Sequence, residues 1–129
     1  MIGPDSSQPL IRVTAMPGDT NPYGGVFGGW IMSQMALGAG SLASRTGGGT
    51  AVVVSAGDFT FPGKMNVGDE LSVYGEVITT GTTSLTIDIR AIARARDSDA
   101  TVQVASGQFK FVLLDGAGRP RPVMAVQSA

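Results

Sequence analysis

The stretch Asp19-Thr20-Asn21-Pro22-Tyr23-Gly24-Gly25-Val26-Phe27-Gly28-Gly29-Trp30, running on into Ile31-Met32-Ser33-Gln34-Met35-Ala36, decides how the rest of the chain is read. Its first half is polar, and Asn21-Pro22 and Gly24-Gly25 turn the chain sharply. From Val26 to Leu42 the chain is then rich in Val, Phe, Trp, Ile, Met and Leu and has no charged residue. A helix that is apolar nearly all round is buried on most sides. Its N-terminus presents free backbone N–H groups and the positive end of the helix dipole. Gly28 and Gly29 let a ligand approach that backbone closely, so this helix end is suited to hold an oxyanion.

Working outward, Leu10 to Ala15 reads as a short first strand, and the helix ends around Ser44 to Thr46, before the Gly47-Gly48-Gly49 break. Ala51 to Phe61 reads as a second strand, whose Val52-Val53-Val54 run predicts burial on both faces. Glu70 to Thr79 alternates, with Leu71, Val73, Gly75 and Val77 on one face. Ser84 to Arg96 alternates again, with Leu85, Ile87, Ile89, Ala91 and Ala93 inward. Thr101 to Leu114 is a last long strand whose apolar phase shifts between Val104 and Phe109, predicting a bulge near Ser106-Gly107. Short turns make the neighbours antiparallel. One apolar helix and one such sheet bury each other only if the sheet curls around the helix, which is an α+β domain.

Composition excludes much chemistry. With 129 residues, the chain is expected to form one domain. A net charge of −1 gives no nucleic-acid footprint. The sequence has no histidine, which removes a Ser-His-Asp triad, a His-bound zinc and imidazole acid–base catalysis. It has no cysteine, which removes thiol nucleophiles, thiolate metal sites and disulfides. No metal or other cofactor is expected. Met1 to Leu10 lacks a basic start and an apolar run, and the apolar helix is interrupted by Ser33 and Gln34. The expectation is a cytoplasmic protein without signal peptide or membrane span.

The run Ala15-Met16-Pro17-Gly18-Asp19-Thr20-Asn21-Pro22, followed by Phe27-Gly28-Gly29-Trp30-Ile31-Met32-Ser33-Gln34-Met35, resembles the bacterial acyl-CoA thioesterases of the hot-dog fold. Val67-Gly68-Asp69 with Tyr74-Gly75, Gly81 with Ser84-Leu85-Thr86-Ile87, and the tail from Asp115-Gly116 to Val123 fit the same pattern. The resemblance spans roughly residues 10 to 124. It implies a five- to six-stranded antiparallel sheet wrapped around one long helix, with the domain at residues 8–124 and tails at 1–7 and 125–129. It implies hydrolysis of an acyl-CoA thioester to free acid and CoA. It also implies a homodimer with a continuous sheet, assembling as a hexamer of three dimers.

The resemblance also assigns positions. The family carries a working aspartate after Ser-Gln-Met, where this chain has Ala36. It carries Asp or Asn before the apolar residue preceding Phe-Gly-Gly, where this chain has Gly25. The alternative is therefore a degenerate member that binds acyl-CoA or serves as a structural partner. Substitute polar groups are Asp58, expected to share a strand face with Thr60, and Asn21, which can orient a water but is a poor base. Asp19 lies in the loop, Ser33 and Gln34 on the helix. The N–H of Gly28 or Gly29 would bind the thioester oxygen, with Ser33 and Thr60 beside the substrate. The CoA phosphates are assigned to the turn Gly81-Thr82-Thr83-Ser84 and to arginines. Arg90, Arg94 and Arg96 share a strand face with Asp88. Their bland reading is a solvated outer face paired with Asp88 and Glu76; the functional one is a phosphate strip. Arg119 and Arg121 lie in a Pro-rich tail that either supplies charge or is a solvated end.

Overall fold

The computed structural model describes residues 7–123. In chain order these form β1 (Ile11–Thr14), a 3-10 turn (Pro17–Asp19), α1 (Gly28–Gly47), β2 (Ala51–Thr60), β3 (Glu70–Thr80), β4 (Ser84–Arg94) and β5 (Thr101–Leu113). The strands make one antiparallel sheet in the order β1-β3-β4-β5-β2.

The helix begins at Gly28, two residues later than the apolar run suggests, because Phe27 still has extended backbone and its side chain offers no cap. It ends where Gly48 adopts a left-handed conformation (φ 73°), its N–H donating to the Ser44 carbonyl. Ile31, Met35, Ala39, Leu42 and Ala43 face the sheet and are buried. The concave face of the sheet answers with Leu71, Val73, Leu85, Ile87, Ile89, Ala91 and Ala93, the inward set that strict alternation predicts. Helix and sheet approach closely at Gly47, where an added β-carbon would fall 2.6 Å from the Leu113 methyl carbons.

Two sequence expectations are corrected. Val52, Val53 and Val54 are 39, 45 and 53% exposed. Apolar composition suggested a central strand, but the pairing order puts β2 at the sheet edge, with β5 on one side and, among the described residues, no strand on the other. The bulge in β5 lies at Val104 instead of Ser106-Gly107: Ala91 pairs with Ala105 and Ile92 with Gln103. Val104 and Ala105 are therefore both buried in succession. β2 carries two irregularities of its own, one leaving Val54 unpaired and one spanning Asp58, which has φ 58°.

Candidate active site

The loop before α1 is held by its own polar groups. Asp19 accepts the Met16 N–H through Oδ2 (2.9 Å), and its carbonyl accepts the Phe27 N–H (2.7 Å). Asn21 Oδ1 accepts two backbone N–H groups, from Tyr23 (2.7 Å) and Gly25 (3.2 Å). That fixes which end of the amide is oxygen and leaves Nδ2 as a donor beside Gly25. The Val26 N–H donates to the Met65 carbonyl (3.1 Å), tying the loop to the segment after β2.

Between these segments opens a cleft of about 290 Å³, lined mainly by Asn21, Gly25, Gly28, Ile31, Phe61 and Lys64. Its floor is apolar. Gly28 sits at the first turn of α1, and among the described residues neither its N–H nor that of Gly29 has an acceptor. Since no side chain caps this end, the first-turn N–H groups and the helix dipole favour negative charge there. The cleft thus offers oriented donors beside an apolar bed, the arrangement that stabilises a carbonyl oxygen gaining charge.

Residues 23–99 match the thioesterase superfamily model. The chain belongs to the thioesterase superfamily. A relative in Zymomonas mobilis, named as an uncharacterized acyl-CoA thioester hydrolase, is 40% identical over 115 residues, covering 89% of this chain and 77% of that one. The acyl-CoA thioester hydrolase YciA of Escherichia coli is 37% identical over 115 residues, covering 87% of each chain. In structure the thioesterase domain resembles a hexameric broad-specificity acyl-coenzyme A thioesterase crystallised with one aspartate replaced by alanine. The TM-score is 0.87 at 35% identity, covering 92% of this chain and 89% of that one. The hot-dog architecture is present, with five strands.

The sequence-derived site residues of this superfamily member are spread over the cleft, α1, β2, β4 and the far end of the chain. Asn21, Gly25 and Gly28 line the cleft. Gly29 is exposed beside it, and Ser33 is exposed on the outer face of the helix, away from the buried stripe. Ala36 is half-buried on α1. Asp58 is exposed on β2 and is not among the residues lining the cleft of its own chain. The Thr60 hydroxyl lies 3.2 Å from that of Ser106.

The turn Gly81 to Ser84 lies at the opposite end of the molecule. The Thr83 carbonyl accepts from the Leu113 N–H, and Leu113 packs under Gly47 at the C-terminal end of α1. The helix from Gly28 to that end has 20 residues, a length of about 30 Å. One chain therefore does not bring Gly28 and the turn together. The tail returns to the same far end: the Val123 N–H donates to the Thr82 carbonyl (2.7 Å). Asp115 Oδ1 accepts the N–H of Ala117 and of Arg119, which closes the tail turn and leaves Arg119 exposed. Arg121 is neither free nor a solvated end, since it donates to the Leu114 and Gly47 carbonyls.

Two arginines of the strip are engaged within the chain, and not with Asp88 or Glu76. Arg90 sits over the Tyr74 ring at 5.1 Å, and Arg94 pairs with Glu70 at 3.5 Å, as does Arg12. Asp88 stands opposite Glu76 in register and takes neither arginine. Phe61, Lys64 and Met65 are cleft residues that the sequence did not reveal. They come from the segment after β2, which the Val26–Met65 hydrogen bond ties to the loop. Among the described residues no group of three His, Cys, Asp or Glu side chains is placed to hold a metal ion. No helix of the described residues is long and apolar enough to cross a membrane.

Proposed function

We propose that this protein hydrolyses acyl-CoA thioesters to the free acid and CoA. The observation that carries the reading is the uncapped N-terminus of α1 opening onto an apolar cleft, in a chain of the thioesterase superfamily. The thioester carbonyl oxygen points to the Gly28 or Gly29 N–H, and the acyl chain lies along Ile31, Phe61 and Met65. Water adds to the carbonyl carbon, the oxyanion is held by the N–H donors and the dipole, and the C–S bond breaks. The thiolate leaves and takes up a proton. Preorganised donors of this kind contribute about 10²–10³-fold each.

Asn21 enters as a donor that orients water or the carbonyl, because its oxygen is already used twice. Asp58 acts as base in this scheme by reaching the cleft of a second copy, brought there by pairing along the exposed edge of β2. The same assembly supplies the nucleotide contacts, since Gly81, Thr82, Thr83, Ser84 and Arg119 lie at the far end of their own helix. Arg90 is the weaker phosphate group, being engaged with Tyr74. We take the dimer, and a hexamer of three dimers, as the working assembly; the apolar edge residues Val52 to Val54 and the hexameric state of the structural relative support it. A cytoplasmic location and no cofactor complete the proposal.

The test is thiol release across an acyl-CoA panel, together with light scattering at micromolar concentration. Release of CoA by the wild-type protein is expected. A protein that binds a non-hydrolysable thioether analogue yet releases no thiol from any member of the panel is a binding protein instead. A monomer at that concentration overturns the assembly.

A further inference from the structure

Among the described residues, Lys64 is the one charged side chain lining the cleft. It has no hydrogen bond or ion pair among the described residues. Its stem passes directly by Gly25: a β-carbon there would lie 3.4 Å from Lys64 Cε and 3.6 Å from Asn21 Nδ2. The empty side-chain position at Gly25 is thus the space that Lys64 uses. Gly28, with its unpaired N–H, lines the same cleft, and among the described residues no carboxylate does. Every polar side-chain or helix-end feature just named is a donor or a positive charge. The cleft is at the small end of ligand sites, with apolar walls from Val26, Ile31, Phe61 and Met65.

We propose that Lys64 makes this site selective for short acyl groups that carry a carboxylate of their own, the ammonium pairing with that carboxylate while the thioester carbonyl faces the helix end. This rests on the hydrolase reading and specifies its substrate class. The competing anionic group is a CoA phosphate. The acyl group is favoured because Lys64 shares one compact cleft with Gly28, whereas the pantetheine arm carries the phosphates away from the thioester. A neutral acyl chain leaves the ammonium facing water or the apolar walls. A carboxylate gains a charge-assisted hydrogen bond from an ammonium that is exposed to solvent in the single chain.

The test uses matched thioesters that differ in a terminal carboxylate: malonyl- against propionyl-CoA, and adipoyl- against hexanoyl-CoA. Within one protein preparation, the kcat/KM ratio of acidic to neutral member is read, which cancels any loss of folded protein. We expect the ratio to exceed one in the wild type, to fall about tenfold in Lys64→Met, to be largely retained in Lys64→Arg, and to shrink with added salt. The same pairs as N-acetylcysteamine thioesters, which lack the phosphates, should show the same fall. A fall in both members with the ratio unchanged overturns the proposal. So does an effect that vanishes without the phosphates, which assigns Lys64 to the nucleotide. If the wild type hydrolyses nothing, the hydrolase reading fails separately, and titration with thioether analogues of the same pairs still decides Lys64. Equal affinity for acidic and neutral analogues then overturns it.

Discussion

The ring of Phe59 covers Gly107 so closely that a β-carbon there would fall 2.6 Å from the ring atoms. Phe59 also packs edge-on against Phe109 (centroids 5.1 Å apart) and stacks with Phe61 at 6.4 Å. Gly107 therefore seats the aromatic row that ends in the cleft wall. Gly107→Ala is expected to destabilise the fold by about 1–3 kcal/mol through overpacking. It should also alter acyl-chain preference, because Phe61 moves with Phe59. A urea midpoint lowered at constant slope reads the first effect, and the panel of acyl-CoAs reads the second.

Arg121 ties the tail to the end of the helix, its Nη2 donating to the Gly47 carbonyl at 2.6 Å and its Nε to the Leu114 carbonyl at 3.1 Å. A cation at a helix C-terminus is also favoured by the dipole. Arg121→Met keeps the stem and removes both bonds, at an expected cost of about 1–3 kcal/mol. An unchanged melting temperature would show that the tail contributes nothing to the fold.

Deleting one oxyanion donor without disturbing the helix is possible at Gly28. It is the first helical residue, where proline is tolerated, and Phe27 before it has φ −67° and ψ 128°, which suits a pre-proline residue. The nearest atom to a β-carbon there is 3.7 Å away on the Phe61 ring. Gly28→Pro should lower kcat by about 10²–10³-fold with native circular dichroism. A rate within twofold of wild type would move the oxyanion site to the Gly29 N–H.

Ala36→Asp places a carboxylate at the position where the family resemblance puts its aspartate. The helix-propensity cost is under about 0.7 kcal/mol. A positioned base contributes about 10²–10⁴-fold, so Ala36→Asp, alone or with Gly25→Asn, is expected to raise kcat in the thiol-release assay. Asp58→Ala should abolish turnover in the wild type and matter far less once Ala36→Asp is present. If Ala36→Asp leaves the rate unchanged while acyl-CoA still binds, residue 36 does not face the thioester.

The sequence alone determined the helix, the inward faces of β3 and β4, and the loop that presents Gly28, because each is written in local signals. Period-two alternation fixes which residues point inward wherever a strand has neighbours on both sides, as Leu85 to Ala93 do. Turn chemistry at Asn21-Pro22 and Gly24-Gly25 needs no distant partner. The same local reading misplaced Val52 to Val54, since apolar composition is the same for a central strand and for an edge that lacks a strand partner within one chain. Nor does it measure the distance between Gly28 and the Gly81 turn, which α1 holds about 30 Å apart within one chain. Nor could it show that Lys64 lies against Gly25, 39 positions away in the chain. That contact is made by the pairing of β2 with β5 and by the Val26–Met65 hydrogen bond. Which strand lies at the edge and which loops meet depend on long-range pairing, and only the tertiary structure decided them.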